Sequence, residues 1–265
     1  MAISRHLFIS HSILLKAPAT VLTTLVSLIF AAWGYLFYLQ WQMTSLPMSA
    51  MWMPPLEAAA WSPMDFVLVY TMWAVMMAAM MLPSALPMIQ AYTQVCRRRT
   101  KTPFNLSYIF TSAYLWVWLI FSVALTLLQW QMHGWGWLSP MMDNQNTTMA
   151  AGILFLAGSY QFMPIKNACL THCKTPMGFL LNEWQEGPRG AFQMGLKHGV
   201  TCVGCCWAQM LIMFAVGVMN LLAMALITLL VIFEKSMPLE SKLICKAVGI
   251  AFFAWGLLLL MEVIS

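Results

Sequence analysis

The sequence predicts an all-α fold, a polytopic transmembrane helix bundle, and two observations lead to that class. Of the 265 residues, 62% are apolar and only 8% are charged, and the apolar residues collect in runs long enough to cross a bilayer. A soluble domain of this size needs a much more polar surface. We therefore expect residues 1–265 to form a single integral membrane domain whose first partner is the lipid bilayer. The net charge of +5 does not imply a nucleic acid partner.

Seven apolar runs are candidate membrane spans, judged against the roughly 20 helical residues that cross a hydrocarbon core of about 30 Å. They lie near 20–40, 64–91, 106–130, 149–165, 192–217, 220–234 and 245–262. The fourth run is short, and only Gly217-Val-Met-Asn220 separates the fifth from the sixth. Six spans with one re-entrant segment are therefore the alternative. The first run ends without a small-residue cleavage pattern, so we interpret it as an anchor.

The basic residues predict the orientation of the bundle. The loops near 41–63, 131–148 and 218–220 contain no Lys or Arg, whereas all 13 basic residues fall on the alternate loops or their flanking turns. Lys166 and Lys235 belong to that second set and are interpreted as topology signals. The positive-inside rule then places the N-terminus in the cytoplasm and the C-terminus outside, which requires an odd number of crossings.

The second apolar run carries signals at its start and in its middle. Ser62 as N-cap, followed by a proline and by Asp65, predicts a helix start. Asp65 then has either a structural role in this cap or a role as an ion ligand at the outer end of the helix. Pro83 and Pro87 remove backbone donors and should bend or open this helix. The carbonyls near residues 79 and 83 then need a partner from a neighbouring element. Broken helices mark binding sites in transporters, but proline kinks also occur in ordinary spans.

Methionines follow one another along the same run, with Met72, Met76 and Met80 recurring every fourth residue. The full ladder consists of Met72, Met76, Met77, Met80 and Met81. A second, outer group lies just upstream at Met43, Met48, Met51 and Met53. Methionine fills irregular apolar gaps, so packing alone is one interpretation. The other is Cu(I) binding, because thioether sulfur is a soft donor.

Two short segments bring together thiol and imidazole side chains. The first contains Cys169, His172 and Cys173, and the second contains His198, Cys202, Cys205 and Cys206. Offsets of four, seven and eight put members of the second segment along one stripe of a helix. Thiolate and imidazole are metal ligands, so we expect the fourth and fifth spans to share one metal site. Structural disulfides are disfavoured because both segments are placed toward the reducing cytoplasm.

Glycines in the fifth span, at Gly195, Gly199 and Gly204, are expected to let another helix approach closely. The remaining cysteines, Cys96 and Cys245, are interpreted as small buried apolar residues.

Three of these segments resemble the predicted metal-binding integral membrane proteins of bacteria, a family of uncharacterised function labelled DUF2182. They are Met72 through Ser84, Ser159 through Lys166, and Gly195 through Trp207, with the element Cys202-Val-Gly-Cys205-Cys206-Trp207. The similarity covers most of residues 60–262. It implies metal binding and a multi-pass place in the bacterial inner (cytoplasmic) membrane, with no established reaction. The matching positions are Met76, Met77, Met80, Met81, Cys169, Cys173, His198, Cys202, Cys205 and Cys206.

Our leading hypothesis is Cu(I) binding for transport or for delivery to a copper enzyme, with a copper chaperone or copper enzyme as partner. The predicted sulfur donors change from thioethers near the outer side to thiolates closer to the cytoplasm. This order favours capture of Cu(I) from outside and its movement inward. One alternative is a structural or regulatory zinc site. Another is a thiol-disulfide oxidoreductase using Cys202 and Cys205. Walker-type, GxSxG and HExxH motifs do not occur, so a role other than catalysis is favoured.

Overall fold

The computed structural model describes residues 19–47, 52–99, 103–237 and 241–264, and within these ranges the chain is helical without strands. The all-α prediction is therefore confirmed. Nine α-helices occur in the described ranges: α1 (Ala19–Ser45), α2 (Pro63–Arg99), α3 (Pro103–Gly134), α4 (Thr147–Phe162), α5 (Pro164–Lys174), α6 (Pro176–Glu183), α7 (Gly187–Val216), α8 (Leu221–Ser236) and α9 (Ser241–Ile264).

The described helices that are long and apolar enough to cross a membrane number five, namely α1, α2, α3, α7 and α9. A sixth span results if α4 and α5, which meet at an angle of 67°, are taken together. Five or six spans are closer to the six-span alternative than to the seven predicted runs, and six crossings would put both termini on the same side of the membrane. The predicted span at 220–234 corresponds to α8, whose 16 residues extend for only about 24 Å. The cytoplasmic N-terminus stays a prediction.

Local sequence signals explain where several helices begin. Ser62 and Asp65 form the reciprocal cap of α2, because the Ser62 N–H and hydroxyl donate to Asp65 Oδ2 at 2.8 and 2.7 Å. The Trp52 indole donates to Asp65 Oδ1 at 2.9 Å, so both carboxylate oxygens are occupied by structural partners. Asn146 and Asn220 cap α4 and α8 in the usual way, each accepting a backbone N–H three residues on.

The two prolines of α2 do not open it, since the helix continues from Pro63 to Arg99. Pro83 has no N–H to donate to the carbonyl of Ala79. That carbonyl instead accepts a hydrogen bond from Trp33 Nε1 of α1 at 3.2 Å. The prediction that a neighbouring element satisfies this carbonyl is confirmed, and the bond ties α1 to the middle of α2.

Helix α7 lies at the centre of the bundle, packed against α3, α4, α5 and α8. Its glycines allow this. A Cβ at Gly195 would overlap the Phe110 carbonyl of α3, and a Cβ at Gly199 would stand 2.8 Å from Val117. At Gly204 a Cβ would stand 2.9 Å from Cys169 Sγ of α5. The close approach predicted from these glycines is confirmed.

Candidate metal centre

Three cysteines of α7 form the core of the candidate site, which we call the thiol cluster: Cys202, Cys205 and Cys206. Their sulfur atoms all lie within 4.8 Å of one another. Offsets of three and four residues bring side chains to one face of a helix, so the local sequence is sufficient to gather them. All three are almost fully buried, and none of them forms a disulfide.

Helix α5 brings a fourth thiol to the cluster. Cys173 is buried and interacts with Cys202 and Cys205. Cys169, one turn earlier, is half-buried and packs against Gly204 of α7. The two Cys/His segments therefore meet in space, as the sequence predicts, although Cys169 stands at the edge of the arrangement.

Helix α2 contributes a thioether. The sulfur of Met81 lies 3.7 Å from Cys206 Sγ, which donates toward it. The ladder residues Met76, Met77 and Met80 are completely buried, and Met72 is 3% exposed. Met81 is thus the ladder methionine whose contact with a cluster thiol is established.

A lysine and a tyrosine surround Cys202. Lys235 Nζ of α8 lies 3.0 Å from Cys202 Sγ and donates to Ser84 Oγ at 2.9 Å. The Tyr114 hydroxyl of α3 lies 3.2 Å from the same sulfur. An ammonium group beside a thiolate supplies the positive charge that favours the metal-binding form of cysteine. Cys202 therefore receives contacts from α3 and α8 as well as from its own helix.

A family model described as PpoB2, a copper chaperone, matches residues 70–259. This chain belongs to the PpoB2 copper chaperone family. The matched region includes the thiol cluster, Cys173, Met81 and Lys235, so each contact just described lies inside the PpoB2 domain. This membership supports the metal-binding part of the resemblance noted from the sequence, whereas the DUF2182 label stays an expectation. Neither the curated proteins nor the solved structures give a significant match to the chain.

The PpoB2 domain also contains a buried ion pair next to the thiol cluster. Lys166 Nζ lies 2.8 Å from Glu234 Oε2, with both side chains almost fully enclosed. Gln161 accepts from Lys166 at 2.5 Å, and Gln209 donates to Glu234 at 3.1 Å. Charges removed from water need such partners. Lys166 and Lys235 thus make side-chain contacts inside the helix bundle, and their interpretation as topology signals stays a prediction.

The two predicted histidine ligands lie outside the thiol cluster in this PpoB2 protein. His198 is 3% exposed and packs among aromatic rings, the nearest being Tyr114 at 5.4 Å. Its Nε2 has no hydrogen-bond partner among the described residues. His172 is exposed, and its Nδ1 lies 3.1 Å from the Ala168 carbonyl. His172 points away from the thiol cluster because it lies one residue before Cys173, which is a rotation of about 100° around α5.

Sequence reasoning missed Lys235, Tyr114 and the Lys166–Glu234 pair of the PpoB2 domain. One signal was available, since Glu234 and Lys235 follow directly on an apolar run where charges are expensive. The resulting donor set contains four thiols and one thioether close together. This set of soft donors suits Cu(I), or zinc if only the thiols take part.

Proposed function

We propose that this protein binds Cu(I) within the membrane and delivers it to a copper enzyme. The observation that carries the proposal is the convergence of three buried cysteine sulfurs within 4.8 Å, with Cys173 and Met81 in contact with them. The proposed ligands are Cys202, Cys205 and Cys206 together with these two residues. Membership of a copper chaperone family supports delivery as the purpose of binding.

The donor chemistry favours Cu(I) over zinc. Four thiols alone are sufficient for a tetrahedral zinc site, in which the thioether of Met81 would take no part. A thioether such as that of Met81 suits Cu(I) instead. Two thiolates around Cu(I) carry one net negative charge, which Lys235 balances at 3.0 Å from Cys202. We therefore propose copper as the cargo and zinc as the competing cation to be tested.

The long apolar helices support a multi-pass protein, and we place it in the bacterial inner membrane with its N-terminus in the cytoplasm. The buried methionines Met72, Met76, Met77 and Met80 are proposed as soft donors along the route to the thiol cluster. Cys169, half-buried beside Gly204, is proposed to assist at the edge of the cluster.

Metal analysis of the full chain in lipid nanodiscs tests the binding step. After anaerobic loading with Cu(I), we expect bound copper, and a Cys202→Ser/Cys205→Ser variant should lose the copper held at the thiol cluster. Cys96→Ser is the matched control, because Cys96 is also buried but lies at the far end of α2. Retention of all copper by the double variant, or binding of zinc in preference to copper, would overturn the proposal.

A vesicle assay separates delivery from transport. The protein is reconstituted with a Cu(I)-specific chelator trapped in the lumen, and Cu(I) is supplied outside under anaerobic conditions. Delivery predicts that copper stays with the protein until an external thiol acceptor is added. Accumulation of copper in the lumen, absent from the Cys202→Ser/Cys205→Ser variant, would instead identify a transporter.

A further inference from the structure

A second methionine-rich region lies away from the thiol cluster, around a cavity of about 250 Å³. Three methionines from three different segments line it: Met43 of α1, Met72 of α2 and Met142 of the connection between α3 and α4. The other lining residues are Tyr35, Leu39, Gln42, Leu46, Trp52 and Leu68. We call this space the methionine cavity. We propose that it is a second Cu(I) site, held by the thioethers of Met43, Met72 and Met142.

Unfilled space distinguishes these methionines from packing residues. Methionine in a core serves to fill irregular gaps. Here three methionines border a volume that they leave open. Three thioethers around an open space provide soft donors and no charge, which suits a soft monovalent cation.

The backbone of Met142 supports a role beyond packing. Its φ of 62° lies in the left-handed region, which side chains other than glycine seldom adopt. Two hydrogen bonds hold it there: Met142 N–H donates to Ser139 at 2.8 Å, and its carbonyl accepts from Val218 at 3.1 Å. Unfavourable backbone conformations persist where the surroundings impose them, and they concentrate at functional sites.

The charges around the cavity favour a cation. None of its nine described lining residues is basic, and the segments 41–63 and 131–148 on either side contain Glu57 and Asp143 but no Lys or Arg. A surface with this charge pattern attracts cations and does not repel them. The described lining of the methionine cavity therefore presents no positive charge to an entering metal ion.

The position of Met72 connects the two sites. Met72 and Met81 are nine residues apart on α2, which is about 14 Å along the helix axis. Met76 and Met80 lie between them at intervals of one turn, and both are fully buried. The methionine cavity is thus one end of a thioether path whose other end contacts Cys206. This inference rests on the proposed function, because it assigns the cavity to the capture of the same cargo.

Copper stoichiometry of the wild type and three variants of the full chain in nanodiscs tests the second site, with Cu(I) alone as the probe. Wild type should bind two Cu(I) ions. Cys202→Ser/Cys205→Ser should keep the one at the methionine cavity, and Met43→Leu/Met142→Leu should keep the one at the thiol cluster. The combination of all four substitutions should bind none. Leucine has nearly the volume of methionine, so the fold is expected to tolerate it.

The control is Met88→Leu, since Met88 is 2% exposed, close to the 1% of Met142, but does not line the cavity. It should bind two ions. Unchanged stoichiometry and affinity in Met43→Leu/Met142→Leu would overturn the second site and leave the proposed function intact. Loss of one ion in that variant, with no loss in the cysteine variant, would support the cavity and overturn the thiol cluster.

Discussion

Lys235 places a positive charge 3.0 Å from the sulfur of Cys202, and this contact has a measurable consequence for metal affinity. Replacing Lys235 with Leu removes the charge that balances bound thiolates in a poorly solvated interior, without adding a sulfur donor. We expect the Kd for Cu(I) at the thiol cluster to rise by roughly 10- to 100-fold, the usual effect of losing a residue that supports metal ligands. Competition titration against a Cu(I) chelator measures it.

Two further variants separate charge from packing at this position. Lys235→Arg keeps the positive charge and should recover most of the affinity. Lys242→Leu removes an exposed lysine from α9 and should leave the Kd unchanged. Equal affinities for wild type and Lys235→Leu would show that the ammonium group does not support the ligands.

At the residue scale, the sequence predicts which side chains share a helix face, because helical periodicity controls this. It does not predict which side chains approach from other helices, because tertiary packing decides that. The shared face of Cys202, Cys205 and Cys206 follows from helical spacing alone. Lys235 enters from another helix, 33 residues away from Cys202 in the chain. Its position after an apolar run predicts a topology signal, and nothing local indicates that its ammonium group contacts a thiol.

At the scale of elements, the contact between α3 and α7 depends on glycine. A Cβ at Gly195 would stand 2.8 Å from Ala113 and overlap a carbonyl of α3. We expect Gly195→Ala to lower the free energy of unfolding by about 1–3 kcal/mol, the usual range for overpacking. Denaturant titration in detergent measures the change.

A matched substitution on α4 should act in the opposite direction. Gly152 is exposed within its helix, and a Cβ added there would have no heavy atom within 4 Å. Alanine there costs no contact and restricts the unfolded chain, so Gly152→Ala should raise stability by about 0.5–1 kcal/mol. If both alanine variants shift stability equally, close packing of α7 does not explain the effect at Gly195.

For the bend between α4 and α5, the sequence predicts the position of the boundary but not the angle between the two helices. Pro164 suits the first position of α5 and indicates a boundary after the short apolar run at 149–165. The angle of 67° depends on how α5 packs against α7 and α8, and no local signal encodes it. Because the sequence does not give this angle, it predicts Cys173 beside α7 only on the ground that its thiol is a metal ligand like those of α7.

At the scale of the whole molecule, the proposed ligands join separate parts of the bundle. Met81 belongs to α2, Cys173 to α5 and the thiol cluster to α7. A cation held by all of them binds the folded state in preference to the unfolded one. At a free Cu(I) concentration 100 times the Kd, the free energy of unfolding should rise by about 2.7 kcal/mol.

Thermal unfolding with and without anaerobic Cu(I) measures this stabilisation. The Cys202→Ser/Cys205→Ser variant should lose the part of the shift that arises at the thiol cluster, whereas Cys96→Ser should retain it. An identical upward shift in the cysteine variant would place the stabilising ion elsewhere in the protein.

The enclosure of Cys202, Cys205 and Cys206, each at most 1% exposed, bears on the oxidation state of a bound ion. Cupric ions prefer nitrogen and oxygen donors, whereas cuprous ions prefer sulfur. A sulfur-lined interior without water ligands therefore disfavours electron loss from the cuprous form. Departure of the ion would then proceed by exchange of one sulfur donor for another on an incoming acceptor, and dissociation into water would be slow.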